Sequence, residues 1–170
     1  PTVSTLWDYI NRAMPWNAPK SLSTEEVYAV TAFLLNLGGI VPDGTNEVVI
    51  SSGNTVSLVA NTTTNNVVSV VGILQMAGFN LSVGALIGEG TGSVRSSSGS
   101  PVLTVGSDNT TRTFNATLGT GAFSLVKVGA GTFSIANAST YTGNTTISGG
   151  AIRITNGAAL GTTGSVTVAS

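Results

Sequence analysis

From Leu125 to Val168 the chain consists of short runs in which polar and apolar residues alternate, each closed by Gly, Asn, Ser or Thr. Thr132–Ala136 puts Phe133 and Ile135 on one face, and Ala151–Thr155 does the same with Ile152 and Ile154. A period of two is the signature of a half-buried strand. Gly129-Ala130-Gly131, Gly149-Gly150 and Asn156-Gly157 interrupt the runs, and the last of these is a strong tight-turn dipeptide. Each strand is too short to bury its apolar face alone. Neighbouring units must therefore stack, so the chain folds as a repeat whose core lies between successive rungs.

The same style extends upstream to about Gly44. Residues 44–170 are expected to form five or six rungs of about 20–25 residues each. The expected core comprises Val56, Leu58, Val70, Leu103, Val105, Phe114, Leu125, Phe133, Ile135, Ile147, Ile152, Ile154, Val166 and Val168. One stretch competes with this reading. Val67–Gly88 carries no charge over 22 residues, which is long enough for a membrane helix. Ser69, Gln75, Asn80, Ser82 and its glycines oppose that assignment. Gly72, Gly78, Gly84 and Gly90 recur every six residues, but Ala77 and Glu89 break a left-handed hexapeptide pattern. Glycine-punctuated strands are the expectation here too.

The run L-x-K-x-G-A-G-T-x-x-I from Leu125, followed by Y-T-G-N-T-T-I-S-G-G from Tyr141 and N-G-A-A-L-G from Asn156, resembles the passenger-associated repeat of bacterial autotransporters. The resemblance is dense over 102–168 and looser over 46–101. It implies a right-handed parallel β-helix, displayed at the outer surface of a Gram-negative bacterium. The family's membrane barrel has no counterpart among these residues.

Residues 1–43 read differently, as a pair of α-helices. Thr5–Ala13 aligns Leu6, Tyr9, Ile10 and Ala13, and Met14-Pro15 stops it because a residue before proline avoids the helical region. Ser23-Thr24-Glu25-Glu26 is a capping box, the stripe Val27, Val30, Thr31, Leu34, Leu37 follows, and Gly38-Gly39 ends the second helix. These helices are expected to cover the first rung. From Leu6 to Pro42 the segment also resembles the C-terminal part of a class I cytochrome c. That resemblance puts Met14 at the axial haem position and implies electron transfer. The family attaches haem through Cys-x-x-Cys-His, however, and the chain has neither Cys nor His, so no cofactor is expected. The composition changes at Asp43-Gly44-Thr45-Asn46. A fusion, a misassembled reading frame or a composed, artificial sequence each accounts for that seam. No signal peptide is legible at Pro1, which a removed leader or a fragment equally explains.

Without Cys and His there are no disulfides, no zinc sites of the usual kind and no Ser-His-Asp triad. The net charge of −1 provides no electrostatic footprint for nucleic acid. Glycine-rich calcium turns need an Asp in each repeat, which Gly129-Ala130-Gly131 lacks. One carboxylate pair is worth naming. Glu89 and Asp108 are 19 residues apart, near one turn of a β-helix, and stacking would bring them towards the separation of about 5–5.5 Å that retaining glycosidases use. Both lie in turn sequence beside Arg95 and Arg112, where solvated ion pairing is the simpler account. Six Asn-x-Ser/Thr triplets begin at Asn61, Asn80, Asn109, Asn115, Asn137 and Asn144, in a chain rich enough in these residues for composition to produce most of them. The reading that follows is a non-enzymatic surface module, a spacer or adhesin segment whose polar face meets carbohydrate or protein. A haem-protein remnant and a polysaccharide-acting β-helix are the alternatives.

Overall fold

The computed structural model describes residues 8–12, 47–162 and 164–169. The chain divides into two compact units, Pro1–Asp43 and Gly44–Ser170. In the first, residues 8–12 are helical, within the expected first helix. Ile10 is fully buried, and Arg12 Nε meets Asp8 Oδ1 at 2.8 Å one helical turn away. The expected second helix, Met14 and the covering of the first rung lie outside the described residues.

The second unit is a parallel β-solenoid of about six turns. Its first turn holds β1 (Glu47–Ile50), β2 (Thr55–Ser57) and β3 (Thr62–Thr63). The second holds β4 (Val67–Val70), β5 (Ile73–Gln75) and β6 (Leu81–Val83). The third holds β7 (Ala85–Gly88), β8 (Ser93–Arg95) and β9 (Val102–Val105). The fourth holds β10 (Arg112–Phe114), β11 (Thr117–Leu118) and β12 (Ser124–Lys127). The fifth has β13 (Thr132–Ile135) and β14 (Thr145–Ile147), and the sixth β15 (Ala151–Ile154) and β16 (Val166–Val168). Strands at like positions in successive turns pair in parallel. The result is a first sheet β1-β4-β7-β10-β13-β15, a second β11-β8-β5-β2 and a third β16-β14-β12-β9-β6-β3. In turn five the second sheet shrinks to a single bridge between Gly121 and Tyr141. The uncharged Val67–Gly88 stretch is β4 to β7, and among the described residues no helix is long and apolar enough to cross a membrane.

The core is a set of columns, because parallel pairing in register puts like positions above one another. In the third sheet Leu81 pairs with Leu103, Leu103 with Leu125, and Leu125 with Thr145. In the first sheet Val70 pairs with Gly88, Gly88 with Phe114, and Phe114 with Ile135. Gly88 occupies an inward position opposite a large neighbour: a Cβ there would come within 2.8 Å of the Phe114 ring and 2.7 Å of Val70 O. Small against large fills the layer without a void. The Phe114 and Phe133 rings pack at 6.1 Å, and Phe123 stacks on Tyr141 at 5.1 Å. The turns are unequal. β7 and β10 share one residue pair, Gly88 with Phe114, 26 positions apart, whereas Val67 meets Ala85 after 18.

Of the expected core, Val70, Leu103, Val105, Phe114, Leu125, Phe133 and Ile135 are buried, and Leu58 and Ile152 pack against that cluster. Val56, Ile154, Val166 and Val168 are 45–68% exposed instead. All four lie in the first and last turns, in β2, β15 and β16.

Candidate functional site

Among the described residues the core holds one fully buried charged residue. Leu125 faces the core, so a period of two brings Lys127 to the same face, in the column that holds Val83 and Val105 in the turns before. Lys127 is 1% exposed. Its ammonium donates to the carbonyls of Val128, Gly129 (3.0 Å) and Gly149 (3.4 Å). Two of these belong to its own corner and one to the corner of the next turn, so the side chain ties turn four to turn five. Space for it depends on glycine: a Cβ at Gly106 would lie 2.9 Å from Nζ. Burial pushes the Lys127 pKa down, and the Asp108 carboxylate opposes that shift. The void beside Lys127, Val105, Gly106 and Phe133 measures about 10 Å³, room for no more than a water molecule. Among the described residues the amine is buried, and its contacts there are hydrogen bonds to backbone carbonyls.

Tyr141 is the second polar group in this part of the core. It is fully buried, with its hydroxyl 2.6 Å from Thr145 Oγ1, and Thr145 is itself buried. Burial raises the Tyr141 pKa, against a smaller lowering by the Thr145 hydrogen bond.

The corners carry a further device, built from the asparagines of the Asn-x-Ser/Thr triplets. Asn61 Oδ1 accepts from the Asn80 amide at 2.8 Å, and Asn80 Oδ1 accepts from the Val102 amide at 2.8 Å. Ser124 Oγ takes the Asn144 amide, and Asn144 Oδ1 takes the Ser165 amide at 3.1 Å. At another corner Asn109, at φ +61°, accepts from the Ala130 amide at 2.9 Å. Asn137 Nδ2 donates to Asn115 O. Each bond joins positions 19 to 22 residues apart, that is, one turn to the next. The side chains satisfy backbone groups that the corners leave outside the sheets.

Glu89 and Asp108 are not stacked. Glu89 follows β7, at the corner between the first and second sheets, where Glu89 N donates to Val70 O. Asp108 lies between β9 and β10, at the corner between the third and first sheets, and its carboxylate binds Thr110 N (3.0 Å) and Thr110 Oγ1 (2.6 Å). The 19-residue spacing misleads because the first-sheet step between these turns is 26 residues. Glu89 shares a surface groove of about 470 Å³ with Glu47, Arg112, Ser69, Thr111 and Thr113, and Asp108 is not among its lining residues. Arg112 Nε is held by Thr110 Oγ1 at 3.0 Å. Among the described residues no cluster of three or more acids could hold a metal ion.

The architecture thus defines a parallel β-solenoid whose corners and core are tied turn to turn. Residues 125–154 match the family model of the passenger-associated-transport-repeat. The matched segment runs from Leu125 in β12 to Ile154 in β15 and includes Lys127, Tyr141 and Asn144. The second unit therefore contains an autotransporter-passenger-like segment. No curated protein and no solved structure gives a significant match to the chain.

Proposed function

We propose that residues 44–170 are a non-enzymatic structural segment of a passenger-type, right-handed β-helix, serving as a spacer or adhesin-like stalk on the outer surface of a Gram-negative cell. The observation that carries this reading is the coincidence of the repeat match with solenoid turns in register, from β12 to β15. A stacked solenoid gains about 4.8 Å per turn, so its product is length and a ridged polar face. Rows of Ser, Thr and Asn on that face suit carbohydrate or protein through many weak hydrogen bonds. The two dominant polar devices, Lys127 and the asparagine columns, are both directed at neighbouring turns rather than at a ligand.

The test is display. Residues 44–170, placed between an export signal and an autotransporter barrel, are expected to reach the cell surface and resist added protease as a folded block. Retention in the periplasm, or digestion as fast as an unstructured segment of equal length, rejects the reading. Turnover in a screen of neutral and acidic polysaccharides that Glu89→Gln abolishes would reject its non-enzymatic part.

A further inference from the structure

Alternation along a strand decides which residues face the core, but it leaves the register between turns open by two. A slip of one residue turns every apolar side chain outward, whereas a slip of two keeps all of them inward. The third sheet is built from positions that tolerate the second kind. Leu103 and Val105 lie inward in β9, Leu125 and Lys127 in β12, and Thr145 and Ile147 in β14. Slipped by two, Leu125 would meet Val105 or Ile147, aliphatic against aliphatic. Asn109 and Asn144 oppose such a slip only weakly, because they are exposed and water replaces a lost hydrogen bond there. Lys127 is not indifferent. Its ammonium has three N–H donors, and three carbonyls take them: Val128 O and Gly129 O in its own turn and Gly149 O in the next. Room for the head comes from the turn before, where a Cβ on Gly106 would lie 2.9 Å from Nζ and 3.1 Å from Cε. One side chain thus reads three successive turns. A two-residue slip moves a neighbouring turn by about 6.6 Å along its strands. Moved so, turn five withdraws Gly149 O, and turn three sets a residue with a side chain where Gly106 stood. A buried cation with an unpaired N–H is a costly defect in a core.

We propose that Lys127 is the register key of the solenoid: its buried ammonium admits turns three and five beside turn four in one register and excludes the two-residue slips that the apolar pattern permits. The lysine is thereby a source of uniqueness rather than of net stability. A buried charge with its partners can be replaced by well-packed apolar side chains at little cost, while an arrangement that strands the charge is strongly penalised. Val83 and Val105 occupy the same column in the turns before, so the position itself accepts an aliphatic residue. Register is set within the solenoid whether or not the segment is displayed on a cell, so register and display can fail separately.

The full chain has no cysteine, so engineered cysteine pairs report register without background. Val126 pairs with Thr104 on one side and Thr146 on the other, at outward positions of the third sheet. Cysteines at Val126 and Thr146, or at Thr104 and Val126, stand about 4.8 Å apart, within disulfide reach, and positions two residues further along are about 8 Å away, beyond it. With Lys127 in place, oxidation is expected to close these two pairs and to leave Val126 with Ser148, Val126 with Asn144, and Thr104 with Val128 open. In Lys127→Met, which keeps the stem and fills the space, the slipped pairs are expected to close in a measurable share of molecules, with circular dichroism and melting temperature little changed. Lys127→Val, which repeats Val83 and Val105, is expected to behave alike. Slipped pairs that close as readily with Lys127 present, or that stay open in both variants while both fold, overturn the proposal. So does failure of both variants to fold, because the lysine would then be holding up the fold rather than choosing its register.

Discussion

Turns two and three have an aliphatic interior, and turns four and five a partly polar one, although the first and third sheets run through all four. In the same column Val83 and Val105 are followed by Lys127; in the neighbouring column Leu103 and Leu125 are followed by Thr145. The difference teaches what a parallel column demands. An aliphatic position is indifferent to the corner beside it. A lysine is admitted only where carbonyls converge, and the glycine corners at Gly106, Gly129 and Gly149 create that convergence. The repeat match, residues 125–154, includes Lys127 and Thr145.

The largest effect is expected where the apolar columns of the two regions meet. Phe114→Ala removes a fully buried ring above Gly88, which has no side chain to refill the space. A loss of about 3–5 kcal/mol is expected by denaturant unfolding. Next comes Lys127→Ala, which opens a cavity and strips three carbonyls of their donor, with an expected loss of about 2–4 kcal/mol. If Lys127→Ala were as mild as a surface substitution, the contrast between the two halves would be one of composition only.

Most of the columns were legible in the sequence. Alternation at Phe133, Ile135, Leu103 and Leu125 named the inward face correctly, because side-chain direction in a strand is local. Burial is not local. Ile135 and Ile154 look alike in sequence and differ by half their surface because only one has a turn above it. Lys127 was within reach, two residues after Leu125, but charge argued for solvent and the converging carbonyls lie on another turn. Tyr141 sits outside any strand and had no periodic signal. The asparagines were visible as triplets, whereas their role needs the spacing of corners, which unequal turns conceal. The same inequality separated Glu89 from Asp108.

Asn144→Ala tests the corner columns. It removes the acceptor for Ser165 N and the side-chain tie to turn six, with an expected cost of about 1 kcal/mol and faster amide exchange confined to β16. Uniform acceleration across all turns would contradict a local tie.

The smallest effect is on pH dependence. Lys127 has a folded-state pKa below its ordinary 10.5, so between the two values the unfolded chain holds the proton and the folded chain does not. Stability therefore rises with pH through that window and is flat beneath it. Tyr141 has a folded-state pKa above its ordinary 10.0, so the folded chain keeps a proton that the unfolded chain has lost, and stability falls as pH rises above 10.0. Unfolding curves across the alkaline range are expected to lose the rise in Lys127→Met and the fall in Tyr141→Phe. The reverse assignment would refute both pKa directions.

The long step between turns three and four has a mechanical consequence. β7 and β10 are joined by one residue pair, while β4 and β7 share four and β13 and β15 share four. Across the same seam β9 and β12 share four pairs and β8 and β11 two, so the third sheet carries most of the load there. Pulled along its axis, the seam opens like a hinge from the first-sheet side, and the third sheet is the last to part.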